Sequence, residues 1–260
     1  MARPKVLVLR APGTNCDVET AYAFELVGGD ASRVHVNQLI EQPELLEAVQ
    51  IFCLPGGFSY GDDIASGRVL GNQLRLKLAD TLLGFRDRGG LVLGICNGFQ
   101  VLMKTGLLDI DDDQGPQASL AWNDSGHYEA RWVHLAAAPG NCVFLAGLQQ
   151  LELPVAHAEG KFVVRDQQVL NQLDAQGRLV LRYRSPTQEE TEGEVAYPAN
   201  PNGSQGNVAG ICDQTGRVLG LMPHPERFVR GDQHPQWTRR PPAERGEGLA
   251  IFENGVNFFR

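Results

Sequence analysis

The stretch GGLVLGICNGFQVLMKTGLL, residues 89–108, decides the fold and raises the main chemical question. An apolar run is followed by the pattern G-x-C-x-G around Cys96 and then by a helical pattern. A strand, a sharp turn that carries a nucleophilic side chain and a helix together form a nucleophile elbow. The stretch therefore predicts a reactive thiol at the carboxyl end of a strand. The alternative is a buried cysteine that acts as a small hydrophobic residue.

The same strand and helix pattern recurs on the N-terminal side of this stretch. KVLVL (5–9) and IFCLPGG (51–57) have the composition of buried strands, and residues 71–90 have helical periodicity. Because strands alternate with helices, we expect a parallel sheet with helices on both faces.

The C-terminal side has a different pattern. Strand-like runs follow one another between residues 128 and 222, which predicts an antiparallel or mixed extension of the same sheet. EGLAIFENGVNFF (247–259) predicts a closing helix, and the polar, proline-rich residues 229–248 predict a long surface loop. We therefore predict an α/β protein with a doubly wound, mostly parallel sheet, an antiparallel extension and a single domain over residues 1–260.

The composition limits the class of protein. The chain has 260 residues, 42% of them hydrophobic, which is enough for a sizeable core. A formal charge of −8 argues against a nucleic-acid-binding surface. No apolar run is long enough for a membrane span, and the residues before the first strand do not have the pattern of a signal peptide, so we expect neither. Five scattered cysteines do not resemble a disulfide framework, so we expect a cytoplasmic protein.

A thiol nucleophile needs a proton acceptor, and MPHPERF (222–228) offers one. His224 lies between two prolines that restrict the backbone, and Glu226 follows two residues later. In an extended segment, residues two apart point the same way, so we expect Glu226 to contact the imidazole and fix its tautomer. The alternative is a surface turn with a local ion pair.

Acyl transfer through a thiol also needs N–H donors for the oxyanion. The elbow supplies the backbone N–H of Asn97, and the turn CLPGGFSYGDD (53–63) supplies a second donor, with Gly57 as the candidate. The alternative for this turn is a tight connection without a catalytic role. His157 in VAHAEG follows a strand and is a candidate for lining a pocket. The chain shows no phosphate-binding loop, nucleotide fingerprint or metal-ligand spacing, so no cofactor or metal is expected in it.

At this point the chain resembles the class I, triad-type glutamine amidotransferases. Within that family it is most similar to the glutaminase subunits of phosphoribosylformylglycinamidine synthase, an enzyme of purine biosynthesis. The motifs span nearly the whole chain, and their combination is specific. They are PGTNCDVETAYAFE, LPGGFSYGDD, LGICNGFQVL, AHAEGKF, YPANPNGS and MPHPERF.

The resemblance implies a flavodoxin-like fold and hydrolysis of glutamine to glutamate and ammonia. Cys96 is implied to form a glutamyl thioester, with His224 as the proton carrier and Glu226 as the residue that orients it. The same resemblance implies that Gly57 and Asn97 donate to the oxyanion and that Phe58 and Gln100 lie near the glutamine pocket. His157 joins these substrate-binding candidates because of its place at the end of a strand.

The resemblance also implies partners. Ammonia is expected to pass to a separate ATP-dependent synthetase subunit, which makes formylglycinamidine ribonucleotide, and a small accessory subunit is expected beside it. ATP and Mg²⁺ are expected on the synthetase. Because the chain starts at Met1 and contains no synthetase, we expect a separate subunit.

One departure from the family pattern is Ala158, which stands where the family often has glycine in HGEG. Two other functions remain open on the residues alone. A cysteine peptidase or other hydrolase on a similar fold shares the elbow and the histidine, and a non-catalytic binding subunit shares the scaffold.

Overall fold

The computed structural model describes residues 3–138, 140–186 and 193–260. The helices are α1 (Asp17–Leu26), α2 (Val36–Glu41), α3 (Arg68–Asp87), α4 (Asn97–Leu102), α5 (Gln167–Ala175) and α6 (Leu249–Asn257). The strands are β1 (Lys5–Arg10), β2 (Asp30–His35), β3 (Ile51–Leu54), β4 (Leu91–Ile95), β5 (Asp111–Asp112), β6 (Gly115–Pro116), β7 (Ala118–Ala121), β8 (Glu129–Ala137), β9 (Gln150–His157), β10 (Lys161–Val164), β11 (Leu181–Arg184), β12 (Val208–Cys212) and β13 (Val218–Leu221).

A nine-stranded sheet forms the centre of the described structure. Its strand order is β2-β1-β3-β4-β13-β12-β11-β8-β9. The first five strands are parallel to one another, and the remaining pairs are antiparallel. The order 2-1-3-4 at the parallel edge is that of flavodoxin-like sheets. The predicted fold class, including the antiparallel extension, is confirmed.

The parallel half is buried on both faces. All residues of β3, β4 and β13 are buried, as expected for strands covered by helices on each side. Helix α3 buries leucines four residues apart, so one stripe of the helix packs on the core. These leucines are Leu70, Leu74, Leu78 and Leu82.

The antiparallel half is covered more on one face than on the other. In β9, buried residues alternate with partly exposed ones, which is the pattern of a strand with one face in the core. β10 differs from the expectation for the central sheet, because it pairs with β7 in a separate two-stranded sheet.

One local expectation needs correction, and the predicted surface loop has some local structure. Helix α4 ends at Leu102, well before the end of the helical pattern in the quoted stretch. Residues 229–248 contain two 3₁₀ turns, Gly231–Gln233 and Trp237–Arg239, and Arg230 pairs with Arg245 across them. That residues 1–260 form a single domain stays a prediction. In the part of the chain that the structure describes, no helix has both the length and the apolar character needed to cross a membrane.

Candidate active site

Cys96 occupies a strained turn between β4 and α4. Its backbone lies at φ 50° and ψ −107°, a region that side chains with a Cβ rarely adopt. Gly98 is required there, because a Cβ at that position would collide with the Leu54 carbonyl. At Gly94, a Cβ would lie 2.5 Å from Leu102 Cδ1. The two glycines therefore let helix and strand approach closely enough to form the elbow.

The thiol of Cys96 is buried, with only 5% of the residue exposed. Its Sγ is 3.6 Å from the Ala156 carbonyl oxygen at the end of β9. The backbone N–H of Cys96 donates to Leu221 O on the neighbouring strand β13 at 2.8 Å. The elbow is thus fixed to the strand from which the histidine emerges.

His224 and Glu226 follow β13 and are brought together at the same edge of the sheet. His224 Nδ1 and Glu226 Oε1 are 2.6 Å apart, and both side chains are almost fully buried. The contact expected from the sequence is present, but its backbone differs. Pro225–Arg227 form a 3₁₀ turn rather than an extended segment.

The surroundings of His224 favour its protonated form. Burial lowers its pKa, but the Glu226 carboxylate and the nearby Cys96 thiolate raise it, and the net result is a pKa well above the ordinary value. His224 Nε2 is buried and has no hydrogen-bond partner among the described residues.

The two candidate oxyanion donors lie on tightly constrained backbone. Gly57 has a φ of 138°, and a Cβ there would be 2.7 Å from the backbone nitrogen of Asn15. Asn97 is the first residue of α4, so its N–H has no partner within the helix. Its side chain accepts from the Ser59 N–H at 3.2 Å, which ties the elbow to the Gly57 turn.

The candidate pocket residues lie in different environments. Phe58 is 42% exposed and stacks on Tyr128 with the ring centroids 6.4 Å apart. Gln100 accepts from Asn97 Nδ2 at 2.9 Å and donates to the Glu159 carbonyl at 2.5 Å. Because its amide is held by the protein on both sides, a direct role of Gln100 in glutamine binding stays a prediction.

His157 is a neutral, buried histidine. Its Nδ1 lies 3.1 Å from Asn123 Oδ1. Burial lowers its pKa to about 3, and the positive charge of His224 contributes in the same direction. The side chain therefore stays unprotonated near neutral pH, and its predicted role in substrate binding stays untested.

Three residues near the site were missed by sequence reasoning. Partial burial raises the pKa of Tyr128, and the negative charge of Cys96 raises it further. Arg227 Nη2 donates to Cys16 Sγ at 3.1 Å. No local sequence pattern predicts these contacts, because the contacting residues are far apart in the chain.

The other four cysteines lie outside the elbow pattern, and from the sequence such cysteines are interpreted as small hydrophobic residues. They are Cys16, Cys53, Cys142 and Cys212. All five cysteines are buried and unpaired. Burial raises the pKa of Cys53 well above its ordinary value. Cys142 and Cys212 contact each other, and that hydrogen bond, together with burial, raises the pKa of Cys142. Cys16 departs from the expectation, because it lies beside His224 and Glu226.

The family follows from a comparison with known proteins. Residues 3–259 match the family model of the CobB/CobQ-like glutamine amidotransferase domain. The chain belongs to this glutamine amidotransferase family. The resemblance inferred from the motifs is therefore confirmed.

Individual members of the amidotransferase family are similar over their full length. A Dehalococcoides mccartyi protein, named phosphoribosylformylglycinamidine synthase subunit PurQ, is 48% identical over 100% of this chain and 99% of its own. A Methanococcus maripaludis protein of the same name is 40% identical over 98% and 97%. A chain in the solved structure of PurLQS from Thermotoga maritima has a TM-score of 0.74, 29% identity and complete coverage of both chains.

The alanine in HAEG does not strain the backbone. Ala158 is not among the described residues with positive φ, and its carbonyl accepts from the Asn123 N–H at 2.8 Å. An alanine is therefore compatible with this turn.

Proposed function

We propose that Cys96 is the nucleophile, His224 the proton carrier and Glu226 its orienting carboxylate in the hydrolysis of glutamine. The observation that carries the proposal is the strained backbone of Cys96 at the carboxyl end of β4, beside the strand end from which the buried His224–Glu226 pair projects. Open α/β sheets bind their ligands at this edge.

The reaction proceeds in two halves. The Cys96 thiolate adds to the side-chain amide carbon of glutamine, the C–N bond breaks, and His224 gives its proton to the leaving ammonia. A glutamyl thioester remains on Cys96. His224 Nε2 then takes a proton from water, the hydroxide adds to the thioester, and the C–S bond breaks to release glutamate and regenerate the thiolate.

The electrostatics suit both halves. A raised pKa of His224 favours the imidazolium beside a Cys96 thiolate, and Glu226 stabilises that imidazolium through Nδ1. The backbone N–H groups of Gly57 and Asn97 serve as donors to the oxyanion. Each such donor contributes about 10²–10³-fold in rate.

The chain is the glutaminase subunit of phosphoribosylformylglycinamidine synthase, a role supported by full-length similarity to curated subunits of that name. It delivers ammonia to an ATP-dependent synthetase subunit that makes formylglycinamidine ribonucleotide, with a small accessory subunit in the same assembly. We further propose that ATP and Mg²⁺ bind the synthetase and that the complex works in the cytoplasm.

The decisive experiment replaces glutamine with ammonia. In the assembled complex, Cys96→Ala is expected to lower glutamine-dependent synthesis by at least about 10³-fold, since the nucleophile is gone. Ammonia-dependent synthesis is expected to persist within about twofold. Cys142→Ala, which removes a buried thiol outside the site, serves as the matched control. Retention of glutamine-dependent turnover by Cys96→Ala would refute the assignment.

A further inference from the structure

A second thiol lies directly behind the proposed triad. Cys16 is fully buried between β1 and α1. Its Sγ, one nitrogen of His224 and one carboxylate oxygen of Glu226 all lie within 4.8 Å of one another. A Cβ at Gly56 would be 3.2 Å from Cys16 Sγ and 2.8 Å from His224 Cε1. The three side chains therefore share one small volume, and Cys16 has no part in the glutaminase steps.

The donor set of this cluster suits a thiophilic metal ion. Thiolate, imidazole and carboxylate are the ligands that Zn²⁺ takes in proteins. Bonds of about 2.3 Å to sulfur and about 2.0–2.1 Å to nitrogen or oxygen place tetrahedral ligands about 3.3–3.8 Å apart. Side-chain shifts of about 1 Å therefore bring the three atoms to bonding distance around one ion.

One atom of the cluster lacks a partner that a cation would supply. Glu226 Oε2 is buried and has no hydrogen-bond partner among the described residues. An unsatisfied carboxylate oxygen in the interior is destabilising. Because Glu226 contacts the Nδ1 side of the ring, an ion shared by Glu226 and His224 lies on that side and leaves Nε2 without a metal bond.

We propose that Cys16, His224 Nδ1 and Glu226 form an inhibitory site for Zn²⁺ or a similar thiophilic divalent cation. Binding releases one proton from the Cys16 thiol and one from Nδ1. The two anionic ligands then balance the charge of the ion. The Nδ1–H donor to Glu226 is lost, so the carboxylate no longer stabilises the imidazolium. Glutamine hydrolysis therefore stops, a consequence that rests on the proposed function.

One nearby charge opposes the ion. The Arg227 guanidinium donates to Cys16 Sγ at 3.1 Å, and its positive charge repels a cation at this position. The Arg227 side chain is 37% exposed, so it has solvent into which it can turn when the ion binds. When the metal ion binds, it therefore replaces the Arg227 guanidinium as the positively charged partner of the Cys16 sulfur.

A cobalt titration separates the two sulfurs near His224. We use the full-length chain with Cys96→Ser, so that the reactive thiol cannot be a ligand. Co²⁺ is expected to bind at one equivalent with a thiolate-to-cobalt charge-transfer band. Adding Cys16→Ser is expected to abolish the band and weaken binding by at least about tenfold. Cys142→Ser in the same background is expected to change neither.

A second variant tests the site in case Cys16→Ser does not fold. Glu226→Gln in the Cys96→Ser background keeps Cys16 and is expected to weaken Co²⁺ binding by a similar factor, with circular dichroism confirming the fold. Binding and a charge-transfer band that are unchanged by Cys16→Ser, or that disappear with Cys96→Ser alone, would overturn the proposal. Because the titration does not use glutamine, its outcome is independent of whether Cys96 is the nucleophile.

The inhibitory effect has its own test in the wild-type complex. Zn²⁺ is expected to suppress glutamine-dependent synthesis, to be reversed by a chelator and to leave ammonia-dependent synthesis unaffected. Equal loss of both activities would contradict inhibition at this site.

Discussion

The His224 segment and the His157 segment place buried histidines in opposite electrostatic states. Both side chains are at most 3% exposed. His224 meets the Glu226 carboxylate and has a pKa well above the ordinary value, whereas His157 meets the Asn123 amide and has a pKa of about 3. Burial lowers the pKa of both imidazoles, and only His224 has a carboxylate partner whose charge outweighs this effect.

The difference matches the position of each segment in the fold. His224 follows β13 in the parallel half, next to the elbow strand β4, while His157 ends β9 at the antiparallel edge. The Asn123 amide also holds the His127 and His157 carbonyls and the Gly160 N–H. The His157 segment thus serves as a neutral support beside the proposed proton carrier.

Removing the carboxylate beside His224 should lower the pKa of this imidazole, as is the case for His157. Glu226→Gln keeps the shape of the side chain but removes its charge, so the pKa of His224 is expected to fall. Glutamine-dependent turnover should drop by about 10³–10⁴-fold, since the imidazolium loses its stabilising partner. Ammonia-dependent synthesis by the same complex is the control. A loss of less than tenfold would show that Glu226 does not set the state of His224.

The reverse change places a carboxylate beside His157, as Glu226 lies beside His224. Asn123→Asp is expected to raise the pKa of His157, which NMR of the imidazole protons would report. The same change removes the donor to two backbone carbonyls, one of them buried, so we expect the free energy of unfolding to fall by about 1–3 kcal/mol. An unchanged His157 pKa in this variant would contradict the claim that a carboxylate partner raises the pKa of a buried histidine.

The acid sensitivity of the fold provides a third test. The pKa of His157 is depressed to about 3 in the folded protein, against about 6.5 in the unfolded chain, so the unfolded state binds the proton first. Its contribution to stability is present above pH 6.5 and is lost as the pH falls toward 3, by up to about 1.4 kcal/mol per pH unit.

His157→Gln removes this titration and keeps a polar side chain. Denaturant unfolding between pH 7 and pH 4 should therefore show a shallower fall in stability for the variant than for wild type. Parallel curves would mean that His157 does not titrate as described.

The smallest effect is expected next to His157. Ala158→Gly restores the glycine common in the family, but the backbone of Ala158 does not need one. The variant should lose no more than about 1 kcal/mol of stability, through greater freedom of the unfolded chain. Thermal unfolding would detect this, and a gain in stability would indicate strain that the structure does not show.

The sequence predicted the parts of the site that depend on local order. The elbow around Cys96 follows from an apolar strand, two small residues and a helix, all within one stretch. The contact between His224 and Glu226 was also expected, although a 3₁₀ turn creates it and not an extended segment. Alternation of strands and helices was enough to predict the parallel half of the sheet.

The parts that were missed depend on contacts between distant segments. Cys16 meets His224 only after β1 and β13 are placed in the same sheet. The amide of Gln100 is engaged because the HAEG turn folds over α4, which no spacing in the sequence announces. These positions are set by the tertiary structure, so a pattern along the chain cannot supply them.

The most direct test of the central claim is covalent labelling with a diazo-ketone analogue of glutamine. In the assembled complex, mass spectrometry of the digested chain should find one label per chain on the peptide that contains Cys96. The label should be absent in Cys96→Ala. A label on Cys16, or labelling that persists in Cys96→Ala, would contradict the account.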